Sequence, residues 1–271
     1  MAIIPTKVWV EELFDQLENQ RGKLPSFQPL MKHFPNWSTE EWLHFLYNQG
    51  MMPIVDETEG NWQNWQKNDP IKGMKELYSK LVETFQGPDV DIFLFPFNHI
   101  DKSRLKIMNG RNGISFPTFI LLFFHEKLTV FEKQALLLHE YHHVCRLHHQ
   151  KKDVETVTLL ESIIMEGLAE WEVKRLLGEQ YVSPWMKKHT KESLLSWWGK
   201  KIRVRKDVKG RKQHIPFIYG GTHGYPLWLG YGLGFLMVES YLEKYKDNPP
   251  PPIKLLKTPP NEILKGSIFS P

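Results

Sequence analysis

The chain has 271 residues, with 35 Lys and Arg, 31 Asp and Glu, 12 His and one Cys, and a net charge of +4. Apolar residues at 41% and charged residues at 24% are ordinary globular usage, which excludes a disordered chain and a collagen-like repeat. A single cysteine, Cys145, cannot close an internal disulfide, so a disulfide-stapled scaffold is excluded and nothing points to an oxidising compartment.

The first twenty residues lack a basic stretch followed by a long apolar one, so no secretory signal is expected. The longest apolar runs, 114–124 and 226–238, fall short of the ~20 residues that span a bilayer. A soluble, cytoplasmic protein without a membrane span is the expectation. Val8, Val10, Leu13, Phe14 and Leu17 follow a helical period. Ser38-Thr39-Glu40-Glu41 opens a second helix that Gly50 stops, and Asp69-Pro70 opens a third that Gly87-Pro88 ends. Residues 90–97 read as a strand. Arg111-Asn112-Gly113 reads as a turn, and 113–124 as a second extended segment that Pro117 breaks or pushes to an edge.

Helical periodicity returns at Thr129, whose spacing to Glu132 is that of a capping box, and runs to about Gln150. Asp153 is the expected cap of the next helix, which Gly178 ends, and Ser183-Pro184 starts another. Residues 200–219 alternate around Val208-Lys209-Gly210 and read as an exposed basic hairpin. A glycine-rich last helix covers 226–245, and the proline-rich remainder reads as an extended tail. The expected organisation is a helical region over 1–88, a core over 89–247 and a tail over 248–271, all in one structural domain.

Five of the twelve histidines fall between His139 and His149. Residues 139–143 read His-Glu-Tyr-His-His, an H-E-x-x-H pattern. On a helix, His139 and His143 lie one turn apart on one face and together suit a zinc ion. Glu140 projects toward the same side and suits a general base that takes a proton from water. The competing reading is a solvated histidine-rich face that includes His142, His148 and His149. Downstream, Glu166 and Glu170 are again one turn apart, among the apolar neighbours Leu168, Ala169 and Trp171. Glu166 is the expected third ligand, with Glu170 orienting His139; the competing reading is two solvated acids.

HExxH followed by a helix carrying E-x-x-x-E resembles the gluzincin metallopeptidases. HEYHHVCR, MEGLAEW and GYPLWLGYGLG together are similar to the YjaZ-like bacterial family of predicted zinc-dependent proteases, over about the C-terminal two-thirds of the chain. The resemblance implies a zincin-like α+β fold, mainly helical, with a small sheet flanking the active-site helix. It implies Zn2+ held by His139, His143 and Glu166, with Glu140 as base. It also implies a sheet edge for an extended substrate, for which 113–119 is the best candidate. Such enzymes use a downstream Tyr or His toward the oxyanion; Tyr231 is preferred here, then His223 and Tyr225, against a purely packing role.

The expected function is zinc-dependent peptide-bond hydrolysis, on a peptide or protein substrate. A zinc-dependent amide or ester hydrolase, or a catalytically silent binding or regulatory protein, is the alternative. The cations between Lys200 and Lys212 are expected to be a solvated face, and no specific nucleic acid is expected. Cys145, His99 and His125 are expected to be structural.

Overall fold

The computed structural model describes residues 2–4, 6–19 and 24–270. It is mainly helical, with one four-stranded sheet, an α+β protein. The chain forms two compact units, 1–79 with 89–140 and 80–88 with 141–271.

The first unit opens with β1 (Ala2–Ile4), α1 (Lys7–Asn19), α2 (Gln28–Met31), α3 (Thr39–Gln49) and α4 (Glu59–Lys67). Helix α3 starts on the expected capping box, Ser38 with Glu41, and ends at Gly50, whose φ of 114° requires glycine. Helix α5 (Met74–Phe85) begins later than Asp69-Pro70 suggests, because residues 70–73 form a turn that follows a left-handed Asp69. Then come β2 (Asp91–Pro96), α6 (Lys102–Met108), β3 (Arg111–Ser115) and β4 (Phe119–Phe124). The sheet order is β1-β2-β4-β3. Strands β1, β2 and β4 run parallel, and β3 pairs antiparallel with β4.

Every residue of β4 is buried, as befits an inner strand covered on both faces. The single extended segment expected over 113–124 is therefore two strands, with Pro117 in the connection where no ladder N–H is needed. The expected turn at 111–113 lies inside β3. Asn109-Gly110 makes the turn instead, with both residues at positive φ. Helix α7 (Val130–Gln150) begins on the expected box: Glu132 N–H donates to the Thr129 hydroxyl and Thr129 N–H to the Glu132 carboxylate. Its first eleven residues belong to this unit and the rest to the second.

In the second unit, α8 (Leu159–Leu177) is capped by Thr158 rather than Asp153, which caps the preceding turn through Thr156 N–H. A 3-10 turn over Pro184–Lys187 precedes α9 (Lys191–Trp197). The expected basic hairpin is not a hairpin. Trp198–Ile202 is a π-helical turn, Arg203–Arg205 a 3-10 turn, and Arg211–Ile218 a helix, α10. In a strand Ile202 and Val204 would share a face, yet Ile202 is buried and Val204 exposed; the buried pair is Trp198 and Ile202, four apart. Helix α11 (Leu229–Leu242) packs along α8. The expected extended tail instead forms α12 (Pro252–Lys257) and α13 (Pro260–Gly266). Pro252 and Pro260 occupy first helical positions, where a missing N–H costs nothing, Pro251 and Pro259 precede them as N-caps, and Leu255, Leu256, Ile263 and Leu264 are buried. Among the described residues, no helix is long and apolar enough to cross a membrane.

Candidate metal centre

Helix α7 is buried all round through its middle: every residue from Ala135 to Arg146 is buried, His139, Glu140, His142 and His143 included. The histidines of the motif are not a solvated face. Apolar neighbours such as Leu137, Leu138, Tyr141 and Val144 hold the helix in the interior.

His139 precedes His143 by one turn of the same continuous helix, so helix geometry alone fixes their relative place. Glu166, on α8, approaches His143, with 3.5 Å between its Oε2 and Nε2 of the imidazole. His139, His143 and Glu166 each bring one ligand atom within 4.8 Å of the other two. Two donors at ~2.1 Å from one tetrahedral ion lie about 3.4 Å apart, so the His143–Glu166 spacing matches that of shared coordination. Two imidazoles and one carboxylate, with a fourth position left for water, is a donor set of catalytic zinc sites.

Glycine lets α8 carry Glu166 in tight quarters. A β carbon on Gly167 would lie 2.1 Å from the carbonyl oxygen of Gly234, and one on Gly234 would lie 2.0 Å from that of Ile163. Helix α11 thus rests backbone to backbone on the turn that presents Glu166. Glu170 is buried as well and is not a solvated acid. Its two oxygens accept the backbone N–H and the hydroxyl of Ser183, each at 2.7 Å.

Glu140 packs against strand β3. A β carbon on Gly113 would sit 2.4 Å from Glu140 Cγ and 2.5 Å from its Oε1. Strand β3 is an edge of the sheet, so the carboxylate lies under an edge strand at its one glycine.

The oxyanion candidates differ in setting. Tyr231 is buried among Trp185, Tyr219 and Trp228, at ring separations of 6.4, 5.8 and 5.2 Å. Tyr225 is half-buried against Trp197 and Phe217. His223 is exposed, in left-handed backbone at φ 52°.

Sequence reasoning missed Arg146. Fully buried three residues beyond His143, it donates to Glu161 at 2.6 Å and to the carbonyls of Leu255, Leu256 and Thr258 at 3.0, 3.3 and 3.1 Å. Lys152 also reaches Glu161, at 3.2 Å. Nothing local in the sequence marks so distant a set of partners. Cys145 is a buried free thiol, and burial pushes its pKa up to about 12. Burial also lowers the pKa of His99 and of His125. His125 Nδ1 accepts the Lys127 N–H at 3.1 Å, while His99 Nδ1 meets no partner among the described residues.

The chain is similar to two proteins of Bacillus subtilis (strain 168). It is 37% identical to the uncharacterized protein YjaZ over 166 residues, 61% of this chain and 64% of YjaZ. It is 23% identical to the uncharacterized protein YjfC over 156 residues, 54% of this chain and 52% of YjfC. The matched stretch thus spans less than two thirds of either relative's own length. No solved structure matches the chain. Residues 71–265 match the family described as Predicted Zn-dependent protease (DUF2268), and that match takes in α7 with its two histidines and α8 with Glu166: the chain belongs to this family.

Proposed function

We propose that the protein is a zinc-dependent metallopeptidase of the gluzincin kind, with a zincin-like core over about 89–247, working on a peptide or protein substrate in the cytoplasm. The observation that carries this reading is the convergence of His139, His143 and Glu166, with Glu140 immediately after the first histidine.

In this reading His139, His143 and Glu166 hold the ion. Bound zinc supplies a Lewis acid for the scissile carbonyl and lowers the pKa of water toward ~7. Glu140 accepts the proton of the attacking water and then returns it to the leaving amine nitrogen. Gly113 keeps the carboxylate clear of any side chain from β3, and the edge of β3 holds the substrate extended. Glu170, pinned by Ser183, orients His139 and keeps its other nitrogen on the metal. Tyr231 is the preferred donor to the oxyanion.

The test is metal content and peptide hydrolysis of the purified protein beside two variants. The wild type should carry close to one zinc per chain. Glu140→Gln should keep it and lose about 10²–10⁴-fold in rate. Glu166→Ala should lose the metal. Full hydrolysis by Glu140→Gln, or unchanged zinc in Glu166→Ala, would overturn the assignment.

A further inference from the structure

The net charge of this chain is segregated. Residues 200–212 hold eight of the 35 cations and one of the 31 acids, Asp207, for a local charge of +7. The other 258 residues carry 27 cations and 30 acids, a net −3. All of the excess positive charge lies in this one segment.

The segment is fastened from beneath. Leu159 N–H and Leu160 N–H, in the first turn of α8, donate to the carbonyls of Val208 and Lys206 at 2.8 and 2.9 Å. Two first-turn donors of that helix are thereby satisfied by the basic segment's own backbone. Buried His214 donates from Nε2 to the Val208 carbonyl at 2.8 Å, which leaves Nδ1 to accept the Ser162 hydroxyl at 2.8 Å. Ile202 is fully buried. Lys200, Lys201, Arg203, Lys209 and Lys212 are exposed and make no ion pair among the described residues.

Apolar side chains stand among them. Val204, between Arg203 and Arg205, is 77% exposed, and Ile215 on α10 is 51% exposed. No aromatic ring lies between 200 and 212, so the segment lacks the stacking surface of single-strand binders. Cations around a protruding aliphatic side chain suit an interface with negative headgroups above and acyl chain below.

We infer that the Lys200–Lys212 platform docks the protein on an anionic lipid surface, with Val204 entering the headgroup layer. The metal site is not needed for this inference.

The experiment is co-sedimentation of the full chain with vesicles of phosphatidylcholine, with or without phosphatidylglycerol, across a salt series. A DNA duplex and polyglutamate serve as competing polyanions. The protein should bind the anionic vesicles, leave the neutral ones, and dissociate as salt rises. Removing one cation is worth about fivefold, so Lys200→Gln/Lys201→Gln/Arg203→Gln should weaken binding roughly a hundredfold at unchanged zinc content and circular dichroism. Val204→Ser, which alters no charge, should weaken vesicle binding at least threefold and leave polyanion binding as it was. Equal binding to neutral vesicles, no binding to anionic ones, tighter binding to DNA or polyglutamate than to vesicles, or indifference to Val204→Ser would each overturn the inference.

Discussion

Gly113 lies so close to Glu140 that a single methyl group on it would overlap the carboxylate. The contact joins an edge strand to the helix that carries both motif histidines, and only the absent β carbon makes it possible. Gly113→Ala should therefore push Glu140 aside and leave His139, His143 and Glu166 in place. Zinc content should stay near wild type, and hydrolysis should drop by about 10²-fold, within the range set by losing the base. Metal analysis beside initial rates checks this; wild-type rates in the alanine variant would mean that the contact is slack.

Two glycines should respond in opposite directions to the same substitution. Gly167→Ala drives a methyl into the backbone of α11, 2.1 Å from the Gly234 oxygen. We expect a loss of about 3 kcal/mol, the upper end for overpacking, with weakened zinc binding because Glu166 is the neighbouring residue. Gly60, on α4, would place its methyl in open space. Gly60→Ala should stabilise by up to about 1 kcal/mol through helix propensity. Denaturant titration of the two variants measures both signs.

Arg146 neutralises Glu161 and satisfies three carbonyls, all out of water. Arg146→Met leaves Glu161 buried with Lys152 as its remaining cation. The expected loss is about 3 kcal/mol, or roughly 6–12 °C in Tm. Arg146→Lys keeps the charge without the planar fork and should fall between. A calorimetric scan that finds Arg146→Met as stable as wild type would reduce the network to a neutral one.

Burial encloses the Cys145 thiol and pushes its pKa up to about 12, so it stays in the unreactive thiol form. DTNB should fail to label the native protein and should label it fully in guanidinium. Rapid native labelling would show that the middle of α7 opens to solvent.

The parts of this fold that were readable carry local signatures. Helix α7 announces itself by the Thr129–Glu132 box, and α3 by Ser38, Glu41 and Gly50. The i, i+4 spacings of the motif residues were readable for the same reason. In the basic segment Lys-Ile-Arg-Val-Arg alternates as a strand does, whereas its burial follows Trp198 and Ile202, a helical pair. In the tail, prolines that begin short helices look the same in sequence as prolines that keep a chain extended. Strand β1, of three residues, is too short to show a period. Pairings across long sequence distance left no trace. Ser183 with Glu170, Arg146 with residues 255–258, and Gly113 with Glu140 are consequences of the fold, and no spacing rule reaches them.

The hold of Arg146 on Thr258, 112 residues downstream, also sets an order in time. At ~5–20 residues per second, those carbonyls are synthesised roughly 6–20 s after the helix that carries His143. Throughout that interval the guanidinium has no carbonyls at 255–258 to receive it. A chain still on the ribosome therefore holds its complete H-E-x-x-H sequence on a helix whose lower half is not yet fastened. Zinc uptake by chains arrested before and after residue 258 would read this directly. Zinc uptake that waits for residues 255–258 would show that the Arg146 contacts complete the helix on which His139 and His143 stand.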